Sequence, residues 1–218
     1  MAEMRTEEET VQAIKDWWKK NGSSLLIGVG AALAIVFGWQ AWQNHQMQQR
    51  TEAASQFAEL INAYSDESDE NRADTVAYVA ENLQEEYSDS AFAIYGMLML
   101  ARQQVMDQGN PEGAIESLTW AQEKAGENGA LALVIRNRLA RAQFAAEQYE
   151  DALSTIEGTD NTGSFGAVFT ELKGDILLAQ GNREEAREAY LAAREMSQQG
   201  RSGILELKLS DLGVKEGA

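Results

Sequence analysis

Few residues in this chain are equipped for covalent or acid–base chemistry. There is one imidazole, His45, and there are no thiols, so thiol nucleophiles, disulfides, thiolate metal sites and histidine relays within the chain are all excluded. A serine nucleophile needs a positioned base, and His45 lies just beyond an apolar run, where it reads as an interfacial polar residue rather than a ligand. The segment Gly163-Ser164-Phe165-Gly166 only superficially resembles the glycine-flanked serine of a nucleophile elbow and reads as a loop. No glycine-rich phosphate loop ending in Gly-Lys-Ser or Gly-Lys-Thr is present. The acidic run from Ser65 to Asn71 invites a calcium reading. Counting from Asp66, however, the sixth position of a calcium loop would be Asn71 instead of glycine and the twelfth would be Ala77 instead of glutamate, so the run reads as a solvated connector. Paired carboxylates are abundant, and in an acidic helical chain they are expected to face solvent. The expectation is a non-enzyme with no cofactor and no metal.

What remains is surface. The formal charge is −17, which opposes binding to DNA or RNA phosphates. Residues 1–42 carry −1 of it and residues 43–218 carry −16. An acidic groove would prefer basic partners and release them as salt rises; alternatively, the acidic face serves solubility. Arg136, Arg138 and Arg141 make a local cationic stripe, suited either to acidic partners or to pairing with nearby carboxylates.

Two kinds of element must position such surfaces. The first is apolar. Ser23 to Trp42 contains no charged residue, and as a helix its 20 residues reach roughly 30 Å, the thickness of a bilayer's hydrocarbon core. Trp17 and Trp18 precede it and Trp39 and Trp42 end it, as indoles do at lipid headgroups. Ala32-Leu33-Ala34 has the small-x-small form of a signal-peptide cleavage site, but the apolar run continues through Ile35-Val36-Phe37, which favours an uncleaved signal anchor over a cleaved leader or a core helix. Lys19 and Lys20 abut its near end, while the first cation on the far side is Arg50, so the positive-inside rule puts the N-terminus in the cytoplasm. The expected division is a tail over 1–22, a membrane span over 23–42 and an exported domain over 43–218. Gly30, Ala34 and Gly38 recur every four residues and would form a face on which another membrane helix could pack.

The second kind of element is helical hairpins. Alanine, leucine, glutamate, glutamine and arginine dominate residues 43–218, with no alternating β-branched runs. The spacings Val76, Val79, Ala80, Leu83 and Phe92, Tyr95, Leu98, Met99, Val105 predict amphipathic helices, and Gln43 to Arg50 holds nothing to stop the membrane helix from continuing toward Phe57, Leu60, Ile61 and Tyr64. Gly109-Asn110-Pro111 ends one helix and starts the next. Gly181-Asn182 repeats the punctuation, with Glu185 in capping-box position. The segments following Gly109, Glu147 and Gly181 align on Ala114, Ala152 and Ala186, spaced 38 and 34 residues apart, the second being the tetratricopeptide period. Gly174, Gly181, Ala186, Tyr190 and Ala193 match the small and aromatic positions of that repeat, whereas the first unit has a longer spacing and no glycine equivalent to Gly174. The predicted fold is all-α: a single N-terminal transmembrane helix followed by a tetratricopeptide-like helical-hairpin solenoid. The final Ile204 to Leu209 stretch could cap the last hairpin or act as an adhesive strand.

Over essentially its full length, and most specifically in Trp17-Trp18-Lys19-Lys20-Asn21-Gly22 and in the anchor ending Gly38-Trp39-Gln40-Ala41-Trp42, the chain resembles the YfgM family of Gram-negative bacteria, described as the ancillary subunit of the SecYEG translocon. The resemblance implies a single-pass inner-membrane protein with a periplasmic domain. It also implies association with the translocon and with the membrane-anchored periplasmic chaperone PpiD, helping exported client proteins pass from channel to chaperones. A further implied role is a regulatory tether in envelope stress signalling, in which the cytoplasmic tail acts on the Rcs response regulator.

Overall fold

A computed structural model describes residues 7–66, 68–126, 129–157, 163–197 and 203–214. The first six residues of the expected tail, and Glu67 within the acidic connector, lie outside the described residues. Among those described there are nine α-helices, one short 3-10 turn and no strand. The chain divides into two units, 1–52 and 53–218, and the division falls within the first helix, α1 (Glu7–Ser65).

Within the first unit, α1 begins with Glu7, Glu8 and Glu9, whose charges complement the unpaired N–H groups of a helix start. Gly22 is covered by the indole of Trp18, while Trp39 and Trp42 lie against each other with ring centroids 5.1 Å apart. From Leu25 to Trp42 the apolar side chains point outward on every side of the helix: Ile27 and Val36, on opposite faces, are 72% and 59% exposed. A helix apolar all round has no water-facing side and needs an apolar surround. Among the described residues, this is the helix long and apolar enough to cross a membrane.

The second unit is a row of antiparallel hairpins. It contains the end of α1 from Ala53 and then α2 (Arg72–Glu86), α3 (Ala91–Met106), α4 (Pro111–Ala125), α5 (Ala130–Ala145), α6 (Tyr149–Glu157), α7 (Gly166–Ala179), α8 (Arg183–Met196) and α9 (Gly203–Asp211). Each helix packs on the next from α2 to α9, and α5 also packs directly on α7. The apolar interior is correspondingly serial. One cluster joins Leu60, Val76, Leu83, Leu100 and Leu118, a second joins Ala140, Ile156, Phe169 and Leu172, and a third joins Ala186, Tyr190, Leu205 and Leu209. Each hairpin thus buries its second face only against a neighbour, the arrangement expected of a solenoid.

Three details differ from the sequence reading. Tyr95 is exposed, and α3 instead buries Ala93, Ile94, Gly96, Met97, Leu98, Leu100 and Ala101, because it is wedged between α2 and α4 and must be apolar on two sides. Asn182 precedes α8 but makes no side-chain cap, so the expected capping box is absent; Asn110 does cap α4, accepting from the Gly113 N–H at 3.0 Å. Gly163–Phe165 is a 3-10 turn leading into α7 rather than an irregular loop. The Ile204 to Leu209 stretch is helical, and Leu205 and Leu209 are buried against Ala186, Tyr190 and Ala193.

Candidate interaction surface of the repeat domain

Three hairpin turns set the geometry of the surface. Gly109, Glu147 and Gly181 all adopt the left-handed conformation, with φ of 61°, 59° and 87°. Each stands five residues before Ala114, Ala152 or Ala186, and these three alanines are fully buried. Glu147 does this without glycine's freedom, at a cost of roughly 1–2 kcal/mol that the surrounding turn must overcome. In the second and third turns the chain closes by the Gln148 N–H donating to the Gln143 carbonyl (2.8 Å) and the Asn182 N–H donating to the Leu177 carbonyl (2.9 Å). In the first, the Asn110 N–H reaches back one residue further, to the Gln104 carbonyl (2.7 Å). The first turn therefore carries one extra residue, and the position equivalent to Gly174 is Ala101 in the first hairpin and Ala140 in the second.

These three small residues match the sizes of their partners. Leu118, Ile156 and Tyr190 each follow their seam alanine by four residues and are buried. A methyl is accommodated beside Leu118 and Ile156. At Gly174 a Cβ would lie 2.5 Å from both Cδ1 and Cε1 of Tyr190, so the aromatic ring demands glycine opposite it. The seam of the first two hairpins also carries a matched polar link: Ser117 Oγ donates to Gln104 Oε1 at 2.9 Å, and Thr155 Oγ1 donates to Gln143 Oε1 at 2.8 Å. The third hairpin has Ala189 and Leu177 at these places. Ala193 is buried like its equivalent Ala121; the corresponding Thr159 lies outside the described residues.

The last hairpin is closed by ions as well as by Leu205 and Leu209. Lys208 Nζ on α9 donates to Glu171 Oε1 at 2.7 Å and lies 2.6 Å from Asp175 Oδ1, both on α7. Arg194 on α8 lies 3.8 Å from Glu206 on α9. The Tyr190 hydroxyl donates to Asp175 Oδ1 at 2.8 Å. Burial, then the hydrogen bond and negative charge of Asp175, hold the Tyr190 phenol well above its ordinary ionisation range. Because the folded state keeps this proton after the unfolded state has lost it, stability falls as pH rises above the ordinary phenol value of about 10. In an alkaline absorbance titration, a late tyrosine step should accompany unfolding as Tyr190 gives up its proton; the Tyr190→Phe variant should lose that late step.

The surface charges are segregated by helix. The sole charged residue of α3 is Arg102, and those of α5 are Arg136, Arg138 and Arg141; neither helix contains an acid. The second helices of the same hairpins are acidic, with Glu112, Glu116 and Glu123 on α4 and Glu150, Asp151 and Glu157 on α6. Arg102 donates to the Tyr64 hydroxyl and lies 5.7 Å from that ring's centroid, and Arg141 Nε donates to Asn137 Oδ1 at 3.1 Å. The cationic stripe read from the sequence at Arg136, Arg138 and Arg141 thus lies on α5, and Arg102 adds a cation on α3.

Among the described residues, no group of three or more acidic or histidine side chains could hold a metal ion. In the connector, Asp66 accepts from the Ser68 hydroxyl (2.6 Å) and N–H (3.1 Å), which holds its carboxyl below the usual range. His45 is exposed on α1. Ala34 is exposed, and a Cβ built at Gly30 or Gly38 would meet nothing within 4 Å, so within this unit that face is uncovered.

Comparison with known proteins places these features in context. The model of the tetratricopeptide repeat-like domain family matches residues 15–214. The Ancillary SecYEG translocon subunit of Haemophilus influenzae is 29% identical over 97% of this chain and 100% of its own length. The protein of the same description from Neisseria gonorrhoeae is 28% identical over 97% of this chain and 100% of its own. That of Escherichia coli is 26% identical over 95% of this chain and 97% of its own. The resemblance drawn from the tryptophan-lysine segment and the anchor agrees with these relatives.

Proposed function

The chain belongs to the tetratricopeptide repeat-like domain family, and from that premise we propose that it is a non-catalytic adaptor, anchored in the bacterial inner membrane beside the Sec translocon. The observation that carries this reading is similarity to ancillary translocon subunits along the whole chain, anchor and repeats together. Here the repeats are joined to one uncharged N-terminal run flanked by Trp17-Trp18 and Trp39-Trp42. In this reading residues 23–42 cross the bilayer, residues 1–22 with Lys19 and Lys20 stay in the cytoplasm, and residues 43–218 stand in the periplasm. There the repeat domain receives exported clients near the channel and works beside the membrane-anchored chaperone PpiD.

Gly30, Ala34 and Gly38 would supply the contact within the membrane, since small residues let helix backbones approach where lipid provides no hydrophobic drive. Replacing all three with leucine should leave the chain in the membrane fraction but reduce its co-purification with the translocon in mild detergent. Undiminished co-purification removes these residues from the contact. If the wild-type protein fails to co-purify with any translocon subunit, the reading itself fails.

A further inference from the structure

We propose that the exposed arginine face of α3 and α5 binds an acidic polypeptide segment. The inference rests on the reading of the repeat domain as an interaction module. Arg102 and Arg141 occupy equivalent positions, each immediately after the small seam residue, Ala101 or Ala140. Arg138 lies three residues before Arg141 and so shares its side of α5. Tyr95, seven residues before Arg102, adds an exposed aromatic ring on the same side of α3. Helices α3 and α5 both pack on α4 and are the first helices of two consecutive hairpins, so each of these hairpins presents its own arginine.

Arg102, Arg138 and Arg141 are exposed, and among the described residues no carboxylate lies within ion-pair distance of any of them. In a chain of net charge −17, with 35 acids to 18 lysines and arginines, that lack of pairing is not expected of scattered surface charge. It contrasts with α7, where Asp175, the residue equivalent to Arg102 and Arg141, is neutralised by Lys208 from the chain itself. Tyr64 and Asn137 hold two of the guanidinium groups in place without neutralising them. A planar fork of N–H donors held oriented and without a carboxylate partner suits capture of side-chain carboxylates, and arginines at equivalent positions of two consecutive hairpins suit a segment carrying several acids.

The test uses the full-length protein in phosphatidylcholine nanodiscs. Its binding is measured to a fluorescein-labelled short peptide of Asp, Glu and Ser, to the same peptide with Lys in place of the acids, and to phosphatidylglycerol vesicles. The acidic peptide should bind and should weaken as salt rises from about 50 to about 300 mM. Three exposed charge pairs together account for about a tenfold change, so Arg102→Gln/Arg138→Gln/Arg141→Gln should weaken binding by about that factor. Arg102→Glu/Arg138→Glu/Arg141→Glu should abolish binding of the acidic peptide while keeping the helical circular-dichroism signal and the urea midpoint of the wild type, which separates loss of the face from loss of the fold. Equal binding of the acidic peptide by the Gln variant, or preference of the wild type for the Lys peptide, overturns the proposal. Capture by the vesicles that the Gln variant loses, without binding of the acidic peptide, assigns the face to anionic lipid and also overturns it. Translocon co-purification is read in parallel: its absence in the wild type defeats the proposed function, whereas indifference to the peptide defeats only this inference.

Discussion

Replacing Gly174 with alanine lowers the stability of the repeat domain by about 2 kcal/mol, although alanine is the better helix former. Propensity alone favours alanine over glycine by about 1 kcal/mol. Against that, the new methyl would stand 2.5 Å from two ring carbons of Tyr190, whose side chain is fully buried. Overpacking of this kind costs roughly 1–3 kcal/mol, and two close contacts with a ring that has no free space put it at the upper end. The sign should invert when the ring is removed. In the Tyr190→Leu background, which has the Leu118 side chain of the first hairpin at the seam, Gly174→Ala should raise stability by about 0.5–1 kcal/mol. Urea unfolding of the four proteins in the cycle measures both. Additive effects would mean that Gly174 is small for a reason other than Tyr190.

Placing aspartates at Val29 and Leu33 is expected to have a still larger effect. Both are apolar, half exposed, and within the uncharged Ser23 to Trp42 run. An acidic residue at the middle of a membrane helix costs about 2.5–3.5 kcal/mol on insertion scales, so the pair opposes insertion by about 5–7 kcal/mol. The double variant should leave the membrane pellet on carbonate extraction, while Val29→Leu/Leu33→Phe should remain. If the aspartate variant stays in the pellet, protein contacts rather than lipid solvation hold that segment.

How much of this was legible in the sequence depended on whether the cause was local. The ends of α3 and α7 were readable at Gly109 and Gly181, because a left-handed residue is most easily supplied by glycine. Tyr190 and Gly174 were readable as a pair, because one side chain's bulk dictates the other's absence. Ala101 and Ala140 were not: a Leu or Ile partner tolerates a methyl, so no glycine marks the position, and one extra residue in the first turn shifts the spacing. The burial on two sides of α3 was equally hidden, since a helix between two others loses the period of a single apolar stripe. Asn182 looked like a cap by type and spacing, but its side chain makes no cap bond. The arginine stripe on α5 was visible as composition; whether its charges were neutralised depended on residues distant in the chain, which only the fold brings near or keeps apart. A steric demand strict enough to require glycine could therefore be named from sequence, whereas one that tolerates a methyl, or a charge left without a partner, could not.

The central claim, a membrane-anchored repeat domain working at the export channel, is tested most directly by photocrosslinking in living cells. A photoreactive amino acid is placed in turn at Tyr95, Arg102, Arg138 and Arg141 of the full-length chain, and the adducts are identified by mass spectrometry. The account predicts adducts with translocon subunits, with the membrane-anchored chaperone or with chains in export, strengthened when export is stalled. Adducts confined to cytoplasmic proteins, or an adduct pattern unchanged by stalling and lacking every export component, would contradict it.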